Sequence, residues 1–173
     1  MIKLIRAALI SAALGFSFAS FVSIVVGEAI AGAYEDGVAA FYSGDFATAL
    51  KDFLDGAQTG DARAQDYLGR MYESGNGVTQ DYKEAVKWYR LAAAQGYAHA
   101  QSDLGWMYAK GNGVTQDYVR AYMWFSLALA RGDTFAAKGQ QYAATKLAPA
   151  QVAQAKTMAR DCKASHFKNC GGV

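Results

Sequence analysis

The chain has 173 residues, a formal net charge of +2, two cysteines, two histidines and one proline. So near-neutral and interspersed a balance excludes the basic stripe that a nucleic-acid partner wants. A single proline and the lack of low-complexity runs exclude a long disordered tail, apart from the last few residues.

Residues 1–33 read as a leader. Lys3 and Arg6 precede an uncharged run from Ala7 to Val26, and Ala29-Ile30-Ala31 and Ala31-Gly32-Ala33 offer small residues for cleavage, the pattern of a secretory signal peptide. The alternative is an uncleaved anchor, since twenty uncharged residues are enough to span a bilayer. Its Ser, Gly and Ala content weakens that alternative. Either way the remainder is expected to be exported, periplasmic or secreted, or else anchored in an inner membrane as a periplasmic domain. Lys3, Arg6 and Glu28 together carry +1, so removing the leader takes the charge from +2 to +1. Residues 34–173 make one domain by length.

Residues 34–59 form the first expected helical pair. Phe46, Ala49 and Phe53 correspond there to Tyr82, Ala85 and Tyr89 further on, with a turn six residues shorter. Residues 60–95 and 96–131 then match each other without a gap at 21 of 36 positions, and both contain the octapeptide GNGVTQDY, at 75–82 and 111–118. A period of this length marks a solenoid. Ala64, Leu68, Met71 and Tyr72, then Tyr82, Ala85, Val86, Tyr89 and Ala93, recur at helical steps, and no window alternates long enough to be a strand. Each unit is therefore two helices joined by the repeated loop, in an all-α fold.

The loop's spelling is turn chemistry. Gly75 and Gly77, with Asn76 between them, tolerate positive φ and stop the first helix. Val78 pins the loop to the core. Asp81 starts the second helix by accepting from free N–H groups, with Glu84 completing a capping-box-like pair; in the second copy Arg120 replaces that Glu, leaving Asp117 to cap alone. Mid-helix Gly69 and Gly105 each cost about 1 kcal/mol against alanine, which predicts close approach of a neighbouring backbone. Tyr72, Tyr82, Trp88 and Tyr89, echoed by Tyr108, Tyr118, Trp124 and Phe125, are expected to fill the space between helices.

Residues 132–163 begin as a third copy, with Gly132 in register with Gly60 and Gly96, and then degrade into a closing helix with Pro149 at its start. Residues 164–173 are the tail. Cys162 and Cys170 lie after the last helix signal, and in an exported chain two nearby cysteines pair. Closing so short a loop stabilises by about 2–3 kcal/mol in the chain-entropy account. A metal set of Cys162, His166 and Cys170 is the alternative. It has only three ligands and an oxidising address, so no metal is expected.

The string A-x-A-Q-x-x-L-G-x-M-Y-x-x-G-x-G-V-x-x-D-Y-x-x-A-x-x-W stands in both central copies. It resembles the Sel-1-like repeat (SLR), a relative of the tetratricopeptide repeat. The resemblance covers about Tyr34 to Asp161; the flanking units fit less well, the third having Gln140-Gln141 where the pattern wants Leu-Gly. It implies an α/α superhelix of stacked helix-turn-helix repeats that binds other proteins, generally without chemistry of its own.

Catalysis has little support in the residues. His99 and His166 sit in no nucleophile motif, Gly75-Asn76-Gly77 lacks the Lys-Ser/Thr of a phosphate loop, and no carboxylate pair has acid–base spacing. Neither an enzyme nor a cofactor is expected. Arg63, Asp66, Arg70 and Glu73 share one helical face, away from the Ala64, Leu68, Tyr72 stripe. The resemblance places that face on the concave groove, where the next copy adds His99, Ser102 and Trp106, with Lys110 just beyond. An ordinary solvated face with i,i+3 and i,i+4 pairs explains the four charged residues as well. Trp106 replaces Arg70, which makes it a hot-spot candidate; packing under a neighbouring helix is the competing reading. The function these features favour is a non-catalytic, exported scaffold or regulator holding a protein segment. A small-ligand binder or cell-wall hydrolase, and a membrane-anchored spacer, stand as alternatives.

Overall fold

The computed structural model describes residues 32–167 and Cys170. The expected leader over 1–33 lies outside them except for its last two residues, which belong to the first helix. That helix, α1, covers 32–43; then come α2 (Phe46–Gln58), α3 (Ala62–Ser74), α4 (Tyr82–Ala94), α5 (Ala98–Lys110), α6 (Tyr118–Leu129), α7 (Ala136–Ala144) and α8 (Pro149–Ala164). Among the described residues there is no strand, and no helix is long and apolar enough to cross a membrane. From α2 to α7 each helix packs on the next, and α8 folds back onto α6. This is the all-α repeat solenoid that the periodicity predicts.

The twin octapeptides take one backbone path. Gly75 and Gly77 have φ of 75° and 73°, Gly111 and Gly113 of 75° and 70°. The Asp81 N–H donates to the Tyr72 carbonyl at 2.9 Å, and the Asp117 N–H to that of Tyr108 at 3.0 Å. Val78 and Val114 both lean on the core. The second glycine has a further duty. A Cβ on Gly77 would lie 2.7 Å from that of Phe46, and one on Gly113 would strike the Tyr82 carbonyl. Each loop thus nests on the start of the preceding unit's second helix. The shorter first turn has two residues (44–45) against seven in 75–81 and 111–117, five fewer where six was expected.

Two expectations need correcting. Asp81 caps α4 by accepting from the N–H groups of Lys83 and Glu84, but the Glu84 carboxylate accepts from Lys87 at 2.6 Å instead of reaching back. The Asp81 N–H is already given to the Tyr72 carbonyl, and the unlike charge one turn away holds the carboxylate instead. Gly69 and Gly105 make room for rings, not backbone: a Cβ would lie 2.5 Å from the Tyr89 ring in one case and 2.7 Å from the Phe125 ring in the other. Phe125 is also pressed by Gly139 of α7, so it is clasped from both sides. Tyr89 and Phe125 are fully buried, and Trp124 and Tyr108 nearly so.

A staple between units is supplied by Gln65 and Gln101. Their side-chain amides donate to the carbonyls of Ala57 and Ala93, near the ends of α2 and α4. Burying an amide is tolerable because its N–H finds a helix-end carbonyl, which also accepts from the N–H of Gly60 in one case and of Gly96 in the other. At the far end Pro149 opens α8, and the Ala148 N–H donates to Gln151 Oε1 at 2.9 Å. Cys162 lies inside the last turn of α8, not after it, because the helix runs on to Ala164. It is disulfide-bonded to Cys170, and both are buried. That bond consumes two of the three ligands of the alternative metal set.

Candidate partner-binding groove

The first helices of successive pairs, α1, α3 and α5, line two adjoining cavities of about 490 and 560 Å³ that share Arg70 and Asp103. Asp66, Arg70, His99, Ser102 and Trp106 line the smaller; Arg70, Glu73 and Lys110 line the larger. Arg63 lines neither. Its guanidinium binds Asp61 at 2.7 Å and Glu35 at 3.3 Å and covers the Tyr34 ring 4.0 Å from its centroid, bracing α1 against α3.

Inside the groove the charged residues are not a uniformly solvated face. Asp66 is 1% exposed, with Oδ1 accepting no hydrogen bond. Ser102 is buried too. Glu73 accepts from the Tyr89 hydroxyl at 2.7 Å, which satisfies a core phenol. Arg70 stays exposed, 5.2 Å above the Tyr67 ring. His99 is exposed, with Nδ1 3.8 Å from Asp133 and its ring edge-on to Tyr97. Trp106 joins both readings: its ring is half-buried, edge-to-face with core Phe125 at 5.2 Å, and it lines the cavity, with the Lys110 ammonium 5.5 Å above it.

Carboxyl groups collect on the cavity floor. Burial first, then the charge of Asp103, pushes Asp66 up to about 8; burial and then Glu73 push Asp103 up to about 7. Arg70 opposes both shifts without cancelling them. The walls are aromatic: Tyr34, Tyr42, Tyr67, Tyr97 and the 77%-exposed Phe135. Sequence reasoning missed Asp103, Asp133 and these rings.

A signal for them exists inside the chain. Between 60–74 and 96–110 eight positions are identical and seven differ: 61/97, 63/99, 66/102, 67/103, 70/106, 73/109 and 74/110. At all seven, at least one of the two residues lines the groove. At the eight identical positions neither does. Along these first helices sameness builds the scaffold and difference faces the groove, while the identical Asn76 and Asn112 of the two loops also border the larger cavity.

Comparison with known proteins agrees with this architecture. The Sel1 repeat profile matches residues 62–97 and 98–133. The crystal structure of c5321, a protective antigen present in uropathogenic Escherichia coli strains and displaying an SLR fold, aligns with a TM-score of 0.74 at 29% identity, covering 80% of this chain and 31% of that one. This chain thus spans less than a third of the antigen's length. A Sel1 repeat protein from Oxalobacter formigenes aligns with a TM-score of 0.58 at 35% identity, over 65% of this chain and 87% of that one. Among the curated proteins none matches.

Proposed function

The chain belongs to the Sel1 repeat family, and from that premise we propose a non-catalytic interaction module that holds a segment of a partner protein along the α1–α3–α5 groove. Sel1 repeat proteins are generally scaffolds for protein–protein interaction and generally non-catalytic. The single observation carrying the proposal is the partition of the duplicated first helices. Variation confined to groove-lining positions is what a surface reading an irregular partner needs, over a scaffold that must stay regular. The exposed rings of Phe135 and Tyr42 at the rim add apolar area of the kind that anchors interfaces. An extracytoplasmic setting fits the disulfide and the likeness to the antigen.

The test is capture of a partner from the exported fraction by the purified chain, run beside two variants. Phe135→Ala removes an exposed groove ring, and Leu91→Ala removes a half-exposed apolar side chain outside the groove. Capture falling about tenfold with the first and unchanged with the second is expected. Equal capture by Phe135→Ala and the parent would remove the groove from the interaction.

A further inference from the structure

Asp66 poses a problem that folding alone leaves unsolved. It is one of the most completely buried side chains of the molecule, it is a carboxylic acid, and Oδ1 accepts no hydrogen bond. Such a group destabilises the fold by roughly 1–3 kcal/mol or more. Ser102 stands at the same place in the next unit, so the scaffold does not demand an acid there. Asp66 also borders the smaller cavity, together with Asp103 and Asp133.

From this juxtaposition, and resting on the partner reading above, we infer that the cavity between α3 and α5 seats a basic side chain of the bound segment, an arginine or lysine, against Asp66 and Asp103. A metal ion is a poor occupant, because among the described residues no group of three His, Cys, Asp or Glu side chains is disposed to hold one. A guanidinium or ammonium on a long alkyl stem fits better. Its N–H donors supply the hydrogen bond that Oδ1 lacks, and its stem lies along Tyr97 and Trp106. The rings here already suit cations: Arg63, Arg70 and Lys110 lie over Tyr34, Tyr67 and Trp106. Tyr97, which lines the same cavity as Asp66, meets the His99 ring at a steep angle, 5.6 Å between centroids. The raised affinity of Asp66 and Asp103 for protons is the same demand for positive charge, expressed toward the smallest cation.

The full chain, 15N-labelled, is titrated by NMR with blocked glycine–serine heptapeptides carrying one central arginine, lysine or citrulline. The arginine and lysine peptides are expected to bind about tenfold or more tightly than the neutral citrulline isostere. Their shifts should centre on α3 and α5. Asp66→Asn and Asp103→Asn should erase that preference while the rest of the amide spectrum stays in place. Equal binding of arginine and citrulline peptides, no binding by any of them, or an arginine preference that survives both substitutions would each overturn the inference. Failure here combined with partner capture lost in Phe135→Ala leaves the groove as a docking surface without a basic anchor. Retained capture in Phe135→Ala beside a clear arginine preference fells the partner reading and leaves the cation seat.

Discussion

The two central units share their turns to the letter yet differ in how deeply their second helices lie. In α4, Lys83 and Lys87 face solvent and Leu91 is 50% exposed; the matching α6 residues are Val119, Met123 and Leu127, of which Met123 is fully buried and Leu127 is 4% exposed. The cause is α8, which folds back onto α6 and is packed against no other helix so closely. Copies of one unit are therefore not interchangeable. At the loop and on the buried side of the first helices, as at Ala64 and Ala100, Leu68 and Leu104, Met71 and Met107, the residues are the same. Where surroundings differ, under α8 and on the groove, the chain has changed to suit.

Substitution at matched positions would break or sharpen that contrast. The largest effect is expected where α6 meets α5 and α7: Phe125→Ala should cost about 3–5 kcal/mol, because the ring is wholly buried between Gly105 and Gly139. Leu127→Ala should follow at about 2–3 kcal/mol while its counterpart Leu91→Ala stays within about 0.5 kcal/mol, as read from chemical denaturation. Equal losses at 91 and 127 would mean that α8 does not cover α6 in solution.

Glycine pairs come next. Gly113→Ala drives a Cβ into the Tyr82 carbonyl at positive φ, whereas at Gly75 the nearest atom outside its chain neighbours would be 3.4 Å away. The first should cost about 2 kcal/mol or more and the second about 1 kcal/mol. A reversed order would deny that the loop rests on the preceding unit.

The last contrast is in pH dependence. Asp66 and Asp103 hold their protons in the folded chain up to about 8 and about 7, and release them near 4 when unfolded. The folded state thus binds more protons between those limits, and stability falls as pH rises from 5 to 8. Asp66→Asn should raise the melting temperature at pH 8 and leave it nearly unchanged at pH 5. A melting curve with no such slope in the parent would place the carboxyl in water.

Much of this was legible in the letters. Helical period gave the α3 and α4 stripes, and glycine–asparagine spelling gave the left-handed turns. Of the eight groove candidates, all but Arg63 border the cavities. Arg63 escaped because its partners, Glu35 and Tyr34, lie on α1, beyond any single-helix argument. The depth of Asp66 escaped for a similar reason: a helical wheel reports which way a side chain points, and only the assembled α5 and the 133–135 segment reveal what closes over it. Asp103 was hidden by register, since its counterpart is Tyr67.

The nesting of Gly77 on Phe46 and Gly113 on Tyr82 makes the stack directional, each new step keyed to a foothold left by the one before. Tyr118 occupies the corresponding place one step further along. A duplicated stretch of the same length spliced in behind it would find its socket already cut, so the shelf can be lengthened without redesigning a single joint.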